Sequence, residues 1–191
     1  MKSKKYWDIY NKAKDLFWKY GFKRVSIEEI CREAGVSKMT FYKFFPNKTE
    51  LVKTLIGDIL DHSLDEFHEL VAQDISFNEK LAEIFKMKLK GTTDISPELI
   101  QELYQQGDKD LSLFFESRIS NSQQAVVAFY QQAQEDGYIR ADVKIDFIML
   151  YSAQMMELMK NQKLLNQYPT TQDFIMETMN LLFYGIVTRN E

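Results

Sequence analysis

The residues best suited to chemistry are cationic or phenolic and lie close together near the N-terminus. Lys38, Thr40, Tyr42, Lys43 and Lys48 fall within a dozen positions of Ser37. A lysine ammonium offers three donors and no acceptor, and a hydroxyl or phenol adds a directed hydrogen bond. Such a set suits a polyanion, whose phosphates accept from every one of these groups. Catalytic constellations are weaker. His62 and His68 are six residues apart, which does not place them on one helical face as a spacing of four would. Asp58, Asp61, Asp65, Glu66 and Glu69 around His62 read as a solvated acidic face. The sequence has no H-E-x-x-H pattern, no glycine-rich phosphate loop and no G-x-S-x-G elbow. Its one cysteine, Cys31, has no evident catalytic partner and can form no intrachain disulfide, which fits a reducing cytoplasm. No enzyme, metal or cofactor is expected.

Positioning those donors requires short, firmly capped helices. Tyr6, Ile9, Ala13, Leu16, Phe17 and Tyr20 recur at helical spacing and predict a first helix from about Lys4 to Tyr20, stopped by Gly21. Ser26, with Glu29 three residues on, predicts a capping box for a second helix that buries Ile27, Ile30, Cys31 and Ala34. Gly35-Val36-Ser37 is a tight turn, and Ser37 caps a third helix through Phe45. That helix buries Phe41 and Phe45 and turns Lys38, Thr40 and Lys43 outward. Asn47, with Glu50, caps a fourth helix expected to reach about Gln73. Two short helices joined by a glycine-centred turn form a helix-turn-helix. Its second helix fits a major groove about 12 Å wide and brings its N-terminal residues to the bases. Ser37 and the open amides beside it could meet a phosphate.

Residues from about Lys14 to Leu51, and above all SIEEICREAGVSKMTFYKFFPNKTEL, resemble the TetR family of bacterial transcriptional repressors. The resemblance implies operator binding by a dimer. It makes Ser26 a phosphate-touching helix start, Ser37, Lys38 and Thr40 groove-facing residues, and Tyr42 and Lys48 phosphate contacts. Two positions depart from the family pattern. Met39 replaces a small residue, often glycine, and could touch a thymine methyl; Cys31 replaces an alanine. The expected DNA-binding set is therefore Ser26, Ser37, Lys38, Met39, Thr40, Tyr42, Lys43 and Lys48.

Charge divides the chain in the same place. Residues 1–53 hold 13 Lys and Arg against 6 Asp and Glu, whereas the remainder holds 11 against 22. A basic head would attract a polyanion and an acidic body would repel one. Across 191 residues, 3 prolines and 7 glycines are too few for a turn-rich β architecture, and the 45% apolar content fits a packed globular chain. The expected fold is all-α: a helix-turn-helix domain over residues 1–50 and a helical regulatory and dimerisation bundle over residues 51–191. The apolar run Leu181–Val187 is far short of the roughly 20 residues that span a bilayer, so no membrane partner is expected.

In the body, Ser76 with Glu79 predicts a capping box for a helix whose inner side carries Leu81, Ile84, Phe85 and Leu89. Pro97 starts another helix after Ser96. A long helix covers Lys109 to Glu135, with a kink expected near Ser120–Ser122. Two more are expected, at about Asp142–Leu165 and Thr170–Thr188. Their stripes, Ile148, Met149, Ser152, Met156 and Met159 on the first and Phe174, Thr178, Leu181, Leu182 and Gly185 on the second, are the candidate homodimer interface. By resemblance the body also encloses a small-molecule pocket. Candidate lining residues are Phe85, Tyr104, Phe114, Phe115, Phe129, Tyr130, Tyr151 and Met155, suited to a small apolar or amphipathic effector. The alternative is a constitutive DNA-binding protein with a packed, ligand-free body.

Overall fold

The computed structural model describes residues 2–104, 109–158 and 161–187, with the side chains of Tyr104 and Met156 outside that description. Among the described residues the chain is all-α: α1 (Lys4–Tyr20), α2 (Ile27–Glu33), α3 (Lys38–Phe44), α4 (Lys48–Val71), α5 (Phe77–Gly91), α6 (Pro97–Tyr104), α7 (Lys109–Glu135), α8 (Ile145–Glu157), α9 (Gln162–Leu165) and α10 (Thr171–Ile186). None of these helices is long and apolar enough to cross a membrane. The chain divides into two compact units, Met1–His62 with Asp94–Arg118, and Ser63–Thr93 with Ile119–Glu191.

Local sequence explains the first unit. Ser3, Ser26 and Ser37 each accept the backbone N–H three residues ahead and so satisfy an otherwise open helical amide. Asn47 does the same for Glu50 (2.8 Å), while the Glu50 carboxylate turns to the Lys53 ammonium (3.1 Å) instead of closing a reciprocal box. The apolar stripes then fill one core: Ile9, Ala13, Phe17, Val25, Ile30, Phe41, Leu51, Leu55 and Leu99 are sealed from water. Ser96 ties α6 into this core. Its N–H donates to the Trp18 carbonyl (2.9 Å), and its hydroxyl accepts from the Leu99 N–H (3.2 Å). Lys53 pairs with Asp110, and Arg118 reaches Asp61 (3.0 Å) while its guanidinium covers the Phe114 ring.

The second unit is built around Phe77, Phe129, Tyr130, Ala133, Ile139, Ile148, Phe183 and Ile186. The expected capping box starts α5, with reciprocal bonds between Ser76 and Glu79, and Thr170 with Asp173 forms a second one at α10. Phe77 stacks on Phe129 and on Tyr138, with centroids 5.7 and 4.8 Å apart. An isolated bridge pairs Ile139 with Val187.

Two expectations change. The helix expected over Asp142–Leu165 is two: α8 ends at Glu157, and α9 restarts at Gln162, where the Asn161 side chain takes the Leu164 N–H (3.2 Å) and so favours a new helix start. Leu89 is 47% exposed, so the inner stripe of α5 runs through Leu81, Ile84 and Phe85 without it.

Candidate nucleic-acid interface

The geometry of the helix-turn-helix begins at Gly35. Its φ of +64° lies in the left-handed region, where a side chain would be strained, and it lets the chain turn within three residues. The Val36 N–H donates to the Cys31 carbonyl (3.0 Å) and closes the end of α2. Phe41 is fully buried and Phe45 nearly so; they anchor one side of α3. The opposite side is left to water. Met39 is 71% and Tyr42 52% exposed, and Lys38 and Lys43 are exposed beside them. Thr40 is half-buried, and its hydroxyl lies 3.0 Å from that of Ser37. This surface offers two ammonium groups, a phenol and a thioether on a single short helix.

Two of the expected DNA-contacting lysines have partners within the chain. The Lys38 ammonium pairs with the Glu28 carboxylate of α2. That hydrogen bond pulls Glu28 below the usual carboxylate range and raises Lys38. Both side chains are exposed, so the pair is screened and an incoming phosphate or base can displace it. Lys48 is different. It is half-buried, and its ammonium donates to the Lys23 carbonyl (3.1 Å) and the Val25 carbonyl (2.9 Å). Burial holds it below the ordinary lysine range, partly offset by the Glu102 carboxylate. Glu102 grips the same loop from α6: it accepts from the Phe22 N–H (2.5 Å) and the Lys23 N–H (3.0 Å). A Cβ on Gly21, whose φ is +75°, would lie 2.8 Å from that carboxylate. The loop leading into α2 is thus clamped between Lys48 and Glu102. Sequence reasoning placed Lys48 at a phosphate and missed Glu102, which lies about eighty residues away from its partners with no local pattern to reveal it.

Other expected site residues fall in different places. Cys31 is buried, and burial raises its thiol, the opposite of what a nucleophile needs. Phe85, Phe129 and Tyr130 come together in the second unit: Phe129 and Tyr130 belong to its core, and Phe85 packs on Phe183 with centroids 5.3 Å apart. Burial pushes the Tyr130 phenol up to about 12. Tyr151 and Met155 are half-buried, with Tyr151 stacked on Phe147. Phe114 and Phe115 belong to the first unit, and the Tyr104 side chain lies outside the described residues. An open cleft of about 260 Å³ in the second unit is lined by Glu66, Glu69, Leu70, Gln73, Glu83 and Met87 and is too acidic to match the expected apolar pocket.

The residues of the expected dimer stripes divide between buried and exposed positions. Ile148 and Phe174 are buried within the chain, and Met149 and Leu182 pack on the second core. Ser152 and Thr178 are half-buried and turn their hydroxyls to backbone carbonyls of their own helices. Of the expected interface residues, Leu181 and Gly185 are exposed; Met159 and the Met156 side chain lie outside the described residues. The open apolar positions on α8 and α10 are Phe147, Leu150, Leu181 and Tyr184, all at least 60% exposed. Three of these four escaped the sequence reading.

Residues 9–55 match the sequence profile of "Bacterial regulatory proteins, tetR family". The uncharacterized HTH-type transcriptional regulator YvdT of Bacillus subtilis is 31% identical over 75 residues, a similarity that covers only 39% of this chain and 39% of that protein. Two solved structures share the fold over nearly the whole chain. One is the fatty acid degradation regulator FadR from Bacillus halodurans (TM-score 0.76, 18% identity, 97% of each chain). The other is FadR from Bacillus subtilis in complex with stearoyl-CoA (TM-score 0.72, 16% identity, 95% of this chain and 99% of that one). Residues 9–55 are thus similar to the TetR family of bacterial regulatory proteins, and the all-α fold of the whole chain is shared with the solved FadR regulators.

Proposed function

We propose that this regulator is a repressor that binds a palindromic operator as a homodimer and whose operator affinity is set by a small apolar or amphipathic effector. Residues 1–50 act as the DNA-binding head and residues 51–191 as the regulatory and dimerisation body. The observation that carries the reading is the outward face of α3: Lys38, Met39, Tyr42 and Lys43 are exposed around a helix whose Phe41 is sealed in the core. Ser26 and Ser37 stand at the two helix starts beside that face. Lys38, Met39 and Thr40 lie at its N-terminal end, where a helix in the major groove reads bases. Tyr42 and Lys43 take backbone phosphates, and Lys48 braces the loop behind them.

A dimer follows from the electrostatics of this small face, which makes too few phosphate contacts to hold DNA alone at physiological salt. Phe147, Leu150, Leu181 and Tyr184 are the exposed apolar surface suited to pair two copies. For the effector, the body's aromatics and half-buried methionines offer adaptable apolar lining, and the FadR of Bacillus subtilis carries stearoyl-CoA on the same fold.

Fluorescence anisotropy on duplexes enriched from a random pool tests the DNA reading. Replacing Lys43 by Ala, once per subunit, should flatten the slope of log K against log salt by about 1.8 in a dimer, and Tyr42→Phe should weaken all duplexes alike. Unchanged affinity and slope in both variants would remove α3 from the interface.

A further inference from the structure

Several basic residues of the first unit face a carboxylate of the chain: Lys12 meets Asp15, Arg32 meets Glu33, Lys38 meets Glu28, and Lys53 meets Asp110. Lys19 and Arg24 are held differently. Among the described residues the partner of each is the ring of Tyr20, whose centroid lies 5.2 Å from the Lys19 ammonium and 4.4 Å from the Arg24 guanidinium carbon. Both cations are exposed, and Tyr20 is half-buried at the end of α1. A guanidinium over a ring engages through its flat face and keeps its in-plane N–H donors for an acceptor. The ring thus fixes the place of the charge without cancelling it.

The backbone around Arg24 is fixed as well. The Lys48 ammonium takes the carbonyls of Lys23 and Val25, the two neighbours of Arg24, and the Glu102 carboxylate takes the N–H groups of Phe22 and Lys23. Holding a loop in advance removes the cost of ordering it when a partner binds. The neighbouring surface says which partner. Glu28, four residues after Arg24, pairs with Lys38 at the start of α3. Four residues span at most about 14 Å, so Arg24 lies close to the end of α3 that is proposed to read bases. A duplex carries a phosphate about every 3.4 Å of axis on each strand, and a guanidinium fork matches two oxygens of one phosphate.

We infer that Arg24, held over Tyr20 with Lys19 on the same ring, is a further phosphate clamp of the DNA-binding head, seated on the duplex backbone beside the groove that α3 occupies. The inference rests on the DNA-binding reading above and adds a contact outside the α3 face.

Fluorescence anisotropy of the full chain on an enriched and a scrambled duplex, between about 50 and 200 mM salt, tests it. Arg24→Gln should weaken both duplexes by the same factor and flatten the slope of log K against log salt by about 1.8 in a dimer, so that the advantage of wild type shrinks about twelvefold across that range. Its melting temperature should stay at the wild-type value, since the side chain is exposed. Arg24→Lys should keep the slope. Tyr20→Leu, which retains every charge, should weaken both duplexes with the slope unchanged; wild-type affinity in that variant would overturn the part given to the ring. A wild-type slope in Arg24→Gln, with Lys43→Ala still flattening it, would overturn the clamp and leave α3 standing as the DNA-binding element. A loss confined to the enriched duplex would also overturn it, by making Arg24 a reader of bases. Absence of DNA binding by wild type would withdraw both readings. If Tyr20→Leu fails to fold, the two Arg24 variants still decide.

Discussion

Replacing Lys48 by Met separates two roles that the sequence alone merges. The substitution keeps the aliphatic length and removes the ammonium that holds the Lys23 and Val25 carbonyls at 3.1 and 2.9 Å. A hydrogen bond to a charged group is worth about 1.5–3 kcal/mol when well buried. Lys48 is only half-buried, and its removal also relieves the cost of desolvating the ammonium. Those two discounts bring the expected net loss to about 1–2 kcal/mol. For a chain of this size that is a fall of about 2–8 °C in melting temperature. Differential scanning calorimetry reads the fall, and anisotropy titrations across salt concentrations read the DNA side. A clamp predicts a lower melting temperature with a salt slope close to wild type, because no phosphate contact is lost. A phosphate contact predicts the reverse: an unchanged melting temperature and a slope flatter by about 1.8 per dimer. That second pattern would refute the assignment of Lys48 to the loop.

Two further outcomes are expected. Leu181→Glu with Tyr184→Glu should shift the protein from dimer to monomer in sedimentation equilibrium with little loss of melting temperature, since both side chains already face water; an unchanged mass would move the interface elsewhere. Tyr130 gives a pH signature: its folded value is raised to about 12 from 10.0, so its contribution is complete below pH 10 and is lost as pH rises toward 12. Stability there should fall by up to about 1.4 kcal/mol per pH unit from this one group. Circular dichroism of Tyr130→Phe should show a shallower alkaline loss than wild type, and identical alkaline curves would contradict the burial of this phenol.

The parts of this molecule that the sequence made legible are those governed by near neighbours. Ser26, Ser37 and Asn47 each mark a helix start through a bond to an amide three residues away, so local spacing suffices to find them. The aromatic anchors of α3 follow from its period. What stayed hidden depends on distant chain. Nothing near Lys48 announces that the Lys23 and Val25 carbonyls will face it, or that Glu102 will grip the same loop. The exposed apolar positions of α8 and α10 were hard to read for another reason. On α8 the neighbours Phe147 and Ile148 are both apolar, and so are Leu182 and Leu181 on α10; periodicity cannot choose between adjacent faces when both are greasy. The break before α9 was missed because Asn161 is equally acceptable on a solvated helix surface and as a cap.

The most direct test of α3 as the DNA-reading element is selection of bound duplexes from a random pool by wild type and by Met39→Ala. Met39 is 71% exposed at the N-terminal end of that helix, so its replacement leaves the fold intact. A two-fold related sequence is expected for wild type, with half-site centres about 34–36 Å apart, and a changed base preference at one symmetric pair of positions for Met39→Ala. Enrichment of the same sequence by both proteins, or of none by either, would contradict it.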